Sequence, residues 1–167
     1  ASSLRARAAL RAGDDMAALR EAVGAIAQAR ETGDNAALAM GLAARLRVEA
    51  LVADVDGVAA TTEALQNCLH SAGRFAADEA LLSVAESWTF LGREWPTGVR
   101  DQVAALTARS MPRLSRARAR TVLALSDRRS STDGLLKEVQ RVAIVTGARA
   151  LLPAAGAHPP WPPRSPQ

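Results

Sequence analysis

The feature that most constrains the fold is a stretch of small residues interrupted by one tight turn, residues 9–27. Its sequence, ALRAGDDMAALREAVGAIA, reads as the end of one helix, a Gly13-Asp14 turn and a second helix with alanines on one face. Gly13 can adopt the left-handed conformation that ends a helix, and Asp14 can cap the helix that follows. Helices joined by so short a turn lie antiparallel.

The composition extends this helical interpretation to the whole chain. Of the 167 residues, 49% are apolar and 3% are aromatic, and the apolar residues are mainly Ala, Leu and Val. Ala and Leu are strong helix formers, and small side chains suit closely packed helices. The sequence therefore predicts an all-α fold in one domain or part of one.

Hydrophobic spacing and helix-ending residues predict about eight helices joined by short turns. Gly33 and Asp34 repeat the first stop-and-cap signal, and Pro96 and Pro112 separate later helices. We expect helices at about residues 3–12, 14–31, 36–53, 58–71, 75–93, 97–110, 113–126 and 133–151.

The turns recur about every forty residues, and the last segment differs from the rest. A repeat period of about 20–50 residues is typical of stacked helical hairpins, which bury a continuous core only by stacking. From Pro153 the prolines are closely spaced, so the chain should be extended there. We therefore expect an antiparallel helix-hairpin solenoid at residues 1–152 and a Pro-rich tail at 153–167.

Residues 13–27 resemble the second half of a tetratricopeptide repeat. In that family a Gly-Asp turn precedes the second helix of each pair, and small residues at two fixed positions let the helix pack against its partner. Three dipeptides fit this pattern: Gly13-Asp14, Ala18-Leu19 and Ala25-Ile26.

A second stretch has the spacing of the family's first-helix signature, Trp88-x-x-Leu91-Gly92-x-x-Trp95, although Pro96 departs from the pattern. The chain is similar to degenerate arrays of this kind, which occur in large multidomain bacterial signalling and transcription regulators. The resemblance implies a non-enzymatic protein-interaction or sensor module whose partner is a protein, a peptide or a neighbouring domain.

If the resemblance holds, the first helix of each pair lines a concave groove that selects its partner by charge. The groove candidates are Arg45, Glu49, Glu86, Arg93, Arg116 and Arg120.

The densest basic cluster indicates an alternative function. It contains Arg109, Arg113, Arg116, Arg118 and Arg120, and Arg128 and Arg129 follow. Spacings of three and four place Arg113, Arg116 and Arg120 on one helix face, which could bind phosphates or an acidic partner. The alternative is a nucleic-acid-binding helical repeat that uses residues 109–129, although this segment has no aromatic residue for base stacking.

One acidic stretch nearly matches a calcium-binding loop: Val52-x-Asp54-x-Asp56-Gly57-x5-Glu63. Val52 occupies the first ligand position, however, and the helix expected from residue 58 would close a loop that must stay open. We interpret Asp54 and Asp56 as turn and helix-capping residues.

Two other groups could carry chemistry. Cys68 and His70 are two residues apart on a helix and cannot chelate one ion together, so we expect Cys68 in the core and His70 on the surface. Glu79 and Glu86 share a helix face, but no His, Lys or metal partner lies nearby in sequence. We interpret that face as solvated.

Several motifs of known enzymes are absent from the sequence, which limits the functions that it can have. The sequence has no P-loop and no Gly-x-Ser-x-Gly motif, so we expect no enzyme activity, cofactor or metal. The single cysteine fits a reducing cytoplasm, and no apolar run could span a membrane. The chain begins at Ala1 in helix-like sequence, which indicates a fragment of a longer protein. An apolar ligand pocket and self-association remain as further alternatives.

Overall fold

The computed structural model describes residues 5, 6, 8, 9, 14–109 and 111–126, and these contain six α-helices and no β-strand. The helices are α1 Asp15–Thr32, α2 Asn35–Leu51, α3 Val55–Cys68, α4 Arg74–Phe90, α5 Val99–Ala108 and α6 Arg113–Ser126. A 3-10 turn, Leu69–Ser71, continues α3. The predicted all-α class is confirmed for this part of the chain. The expected helix at 133–151 and the tail at 153–167 lie outside it, as does most of the helix at 3–12.

The first three helices begin in the same way, with an aspartate that caps the first turn. The carboxylates accept hydrogen bonds from backbone N–H groups at 2.8–2.9 Å: Asp14 from Ala17, Asp34 from Ala37 and Asp54 from Gly57. Each such cap contributes about 1 kcal/mol. The interpretation of Asp54 as a capping residue is confirmed, and α3 therefore begins three residues earlier than predicted.

The connection between α4 and α5 is longer than predicted. Gly92 and Gly98 adopt left-handed backbone conformations, with φ of 61° and 81°, and Pro96 between them has no N–H to continue a helix. Consequently α4 ends at Phe90 and α5 begins at Val99. The indole N–H of Trp95 donates to Thr89 Oγ1 at 2.9 Å and holds this connection against α4.

Small residues let α1 and α2 approach closely. Four alanines of α1 are buried: Ala18, Ala22, Ala25 and Ala29. A methyl group on Gly41 of α2 would lie 3.0 Å from Ile26 Cγ1 and 3.3 Å from the backbone nitrogen of Ile26. The two helices therefore pack with almost no space for a side chain at Gly41.

The helices pack in a regular order along the chain. α1 packs on α2, α2 packs on α3 and α4, and α4 packs on α5 and α6. One core cluster extends from Ile26 of α1 to Val122 of α6. The helices α2, α4 and α6 thus contact one another in sequence, and they carry the site described next. None of the described helices is long and apolar enough to cross a membrane.

Candidate functional site

A network of charged side chains joins α2, α4 and α6. Arg118 of α6 donates to both oxygens of Glu86, from Nε at 2.6 Å and from Nη2 at 2.9 Å. Its Nη1 lies 2.8 Å from both oxygens of Glu79. Arg47 of α2 donates to Glu86 at 3.4 Å, and Ser115 donates to Glu79 at 3.3 Å. The two arginines and two glutamates balance in charge.

The centre of this network is shielded from water. The side chains of Arg118 and Glu79 are 13% and 9% exposed. Removing an ion from water costs several kcal/mol, and the attraction between partners offsets this cost only when the geometry is good. The planar guanidinium meets that condition because its nitrogens match the two oxygens of a carboxylate. Loss of one partner would leave the opposite charge buried.

Glu86 and Arg118 hold each other in their charged forms. Desolvation by burial raises the pKa of Glu86, but the hydrogen bond and charge of Arg118, together with the charge of Arg47, lower that pKa by more. The pKa of Arg118 is raised in turn, because its contacts with Glu86 and Glu79 outweigh the effect of burial. The pair is therefore ionised at neutral pH.

Glu79 and Glu86 do not form a solvated face, and that interpretation is wrong. They share a helix face as predicted, but the face is directed at α6, and Glu79 is buried. The cation partner, Arg118, lies 32 residues after Glu86 and so escapes a search of neighbouring sequence. The sequence does contain a signal that these glutamates face the protein interior. Both glutamates align with Ala76 and Ser83, at helical spacings of three and four.

The arginines of α6 divide into two sets. Arg118 is directed inward, whereas Arg113 and Arg120 are exposed and Arg116 is half-buried. At about 100° per residue, these three lie within about 60° of one another and opposite Arg118. The predicted basic patch is corrected accordingly, because Arg118 is occupied by two carboxylates and is not part of an exposed basic surface.

The remaining basic residues lie around the junction of α5 and α6. Arg109 is exposed at the end of α5. Arg116 Nη2 donates to the carbonyl oxygen of Arg109 at 3.4 Å, and Arg116 Nε is buried without a hydrogen-bond partner in the described part of the chain. Arg128 and Arg129 lie outside the described residues.

Two of the predicted groove residues bind each other. Arg45 Nε donates to Glu49 Oε1 at 2.6 Å, one turn apart on α2. Glu49 is 5% exposed, and within the described residues its Oε2 has no hydrogen-bond partner. The pair therefore satisfies one oxygen of a buried carboxylate.

The other groove candidates are distributed over different surroundings. Glu86 belongs to the network with Arg118, and Arg93 is exposed after the end of α4. Arg116 and Arg120 lie on the outward side of α6. Among the described contacts, none joins Glu86 to Arg93, Arg116 or Arg120. Arg47 and Ser115, which do contact the network, were absent from the predicted set.

The outward side of α6 also carries an apolar stripe. Leu114 and Leu125 are 40% and 48% exposed, and Ala117 and Thr121 between them are half-buried. Spacings of three, four and four residues align the four side chains. On the helix surface this stripe lies between the inward Arg118 and the outward arginines.

The predicted placements of Cys68 and His70 are confirmed. Cys68 is buried, and its thiol donates to the carbonyl oxygen of Leu65 at 3.2 Å. Desolvation raises the pKa of this thiol, and a backbone hydrogen bond lowers it by less. His70 is exposed in the 3-10 turn. The described residues include no group of three or more His, Cys, Asp or Glu side chains that could hold a metal ion.

A cleft of about 460 Å³ lies between the end of α3, α4 and α5. Leu69, Leu81 and Leu106 contribute apolar lining, and charged side chains of both signs, such as Asp78 and Arg109, line the same cleft. Asp78 is also within 4.0 Å of Arg74. His70 and Asp101 also line this cleft, so its lining mixes apolar and ionisable side chains.

Comparison with protein-family models, with curated proteins and with solved structures gives no match.

Proposed function

We propose that the chain is a non-enzymatic protein-interaction or sensor module of a larger signalling or transcriptional regulator. The observation that carries this proposal is the outward side of α6. There an apolar stripe that ends in exposed Leu114 and Leu125 runs beside exposed Arg113 and Arg120, whereas the inward Arg118 binds two carboxylates. Exposed apolar side chains bordered by charge are typical of surfaces that bind other proteins.

The packing order supports a stacked array of helical hairpins as the architecture. The consecutive contacts of α2, α4 and α6 are those expected when each hairpin stacks on the previous one. In such an array each hairpin also has a surface outside the stacking contact that a neighbouring domain or a partner can bind. A cytoplasmic location, which the single cysteine favours, is part of the same proposal.

Selection from a library of displayed helical peptides tests this function. The full 167-residue chain should enrich sequences that bind with a dissociation constant in the micromolar range. Enriched peptides should lose affinity for a Leu114→Ser/Leu125→Ser variant that retains the helical circular dichroism of the parent. If no sequence is enriched above an unrelated helical protein, the interaction function is rejected.

The exposed arginines favour one alternative, a nucleic-acid-binding helical repeat. Arg109, Arg113 and Arg120 are exposed near one another in sequence, and Arg116 lies on the same side of α6. Contacts to phosphates would give duplex DNA an affinity that falls steeply with salt. If Arg116→Glu/Arg120→Glu leaves DNA affinity unaltered, this alternative is rejected.

A further inference from the structure

We propose that the outward face of α6 binds an acidic amphipathic α-helix of a partner protein. The inference rests on the proposed interaction function and adds the chemistry of the partner. It is carried by the shape of the apolar stripe and by the one-sided charge beside it.

The stripe has the dimensions of a helix-docking seam. Leu114 and Leu125 are eleven residues apart, which corresponds to about 16 Å and three helical turns. Between them Ala117 and Thr121 present small side chains, so a second helix could approach to the usual distance of about 8–10 Å. Leucines at both ends would then fit between partner side chains spaced three and four residues apart.

The two sides of the apolar stripe differ in charge. On one side Arg113 and Arg120 are exposed, and half-buried Arg116 donates from Nη2 to the carbonyl oxygen of Arg109 at 3.4 Å. On the other side Arg118 is neutralised by Glu86 at 2.6 Å. A partner helix with carboxylates along one flank matches this arrangement, because its acidic flank would lie over the outward arginines.

Neither a second copy of the chain nor its own C-terminal segment matches the charge beside the apolar stripe as well as an acidic helix does. A second copy of α6 would place arginines against arginines. The apolar segment at 133–151 has three basic residues (Lys137, Arg141, Arg149) and two acidic ones (Asp133, Glu138), a net charge of +1. Nucleic acid would pair with the arginines but would leave the exposed leucines without a function.

Fluorescence anisotropy with designed peptides tests the proposal on the full chain. The first peptide is helical, with leucines at spacings of three and four and glutamates along one flank. Controls are a peptide with lysines in place of the glutamates, a scrambled peptide of the first composition, and a 20-base-pair DNA duplex. We expect the acidic amphipathic helix to bind at least tenfold more tightly than each control.

Variants of the chain locate the site. Arg113→Glu/Arg120→Glu should weaken the acidic helix at least tenfold and should bind the lysine peptide instead. Leu114→Ser/Leu125→Ser should also weaken the acidic helix tenfold. The matched control Arg20→Glu/Arg30→Glu makes the same charge change on exposed positions of α1 and should stay within twofold of the parent. Circular dichroism verifies that each variant is folded.

Several outcomes would overturn the proposal. Equal binding of the scrambled peptide would mean general attraction to negative charge, and tighter binding of DNA would favour nucleic acid. A dimer that Leu114→Ser/Leu125→Ser dissociates would identify a second copy as the occupant. Displacement of the acidic helix by a synthetic peptide of residues 131–152 would identify the chain's own segment.

The proposed interaction function can be rejected or retained independently of the acidic partner. If library selection enriches peptides that need Leu114 but are not acidic, the interaction function stands and the acidic partner is rejected. If selection enriches nothing, the interaction function itself is rejected.

Discussion

Arg118 and Glu86 meet as two parallel forks, Nε to Oε1 at 2.6 Å and Nη2 to Oε2 at 2.9 Å. The same guanidinium uses its remaining nitrogen to bind Glu79. One side chain of α6 therefore fixes the position of that helix against two turns of α4. Because α6 has few buried side chains of its own, namely Ser115, Ala119 and Val122, this contact supplements its packing on α4 and α5.

Replacement of Arg118 by methionine should lower the free energy of unfolding by about 3–5 kcal/mol, because it leaves the buried carboxylate of Glu79 and the partly buried carboxylate of Glu86 without their cation. Urea denaturation at pH 7 measures the change. Arg113→Met, on the exposed side of the same helix, is the control and should stay within about 0.5 kcal/mol of the parent. A loss below about 1 kcal/mol for Arg118→Met would mean that the network contributes little to stability.

The triple variant Glu79→Met/Glu86→Met/Arg118→Met should be more stable than Arg118→Met alone. Apolar residues of similar volume often replace a buried ion pair without loss, whereas removal of a single partner is costly. The same urea titration measures this recovery. A triple variant less stable than the single one would show that the glutamates have roles beyond binding Arg118.

Stability should depend on the protonation of Glu86. Its pKa in the folded state lies below the ordinary value of 4.5, so the carboxylate stabilises the fold above that value and the contribution is lost as pH falls through the folded-state pKa. The stability difference between the parent and Glu86→Gln should be constant from about pH 7 to pH 5 and should shrink below about pH 4.5.

Urea denaturation at a series of pH values measures this difference. Glu63→Gln changes an exposed glutamate of α3 and is the control for general acid effects. A difference for Glu86→Gln that remains unchanged down to about pH 3 would contradict the assignment.

Two glycines within helices should respond in opposite directions to alanine. Gly24 of α1 has no atom within 4 Å of the added methyl group, so Gly24→Ala should raise the free energy of unfolding by about 0.5–1 kcal/mol through helix propensity. At Gly41 the methyl group meets the backbone of Ile26 at 3.3 Å. There an overpacking cost of about 1–3 kcal/mol should exceed the same gain.

Thermal and urea unfolding of both glycine variants provide the comparison. Equal stabilisation by Gly24→Ala and Gly41→Ala would mean that α1 and α2 can separate at no cost. That result would contradict the close packing of the two helices.

The Cys68 thiol should react with a disulfide reagent only after unfolding. The side chain is 7% exposed, and burial raises its pKa, which lowers the fraction of reactive thiolate. We expect the reaction at pH 8 to be at least a hundredfold slower for the folded chain than in 6 M guanidinium chloride. A rate similar to that of free cysteine would show that the end of α3 opens readily.

Local signals in the sequence predict much of the helical architecture. Gly33 and Asp34 lie at a helix end and a helix cap as predicted, because both signals act within a few residues. The beginning of α3 was less predictable. Asp54 caps three residues earlier than the apolar spacing indicated, since Gly57 is within the first turn and its N–H is the donor to the cap.

The site was less predictable than the helices because it depends on contacts between distant segments. A run of arginines has the same appearance whether its members are directed inward or outward, and Arg118 differs from Arg120 only in its helical phase. That phase could be inferred from buried Ala119 and Val122. The contact of Arg47 with Glu86, across 39 residues, has no local signal at all.

The network also affects when the domain can finish folding during its synthesis. Glu79 and Glu86 emerge from the ribosome before Arg118, which follows by 39 and 32 residues. Until then α4 can contact α2 and Arg47, but the carboxylate of Glu79 still lacks its cation and favours a hydrated position. Completion of the nascent domain is therefore expected to wait for α6, and a ribosome stalled before Arg118 would carry α4 with its face for α6 still open to chaperones.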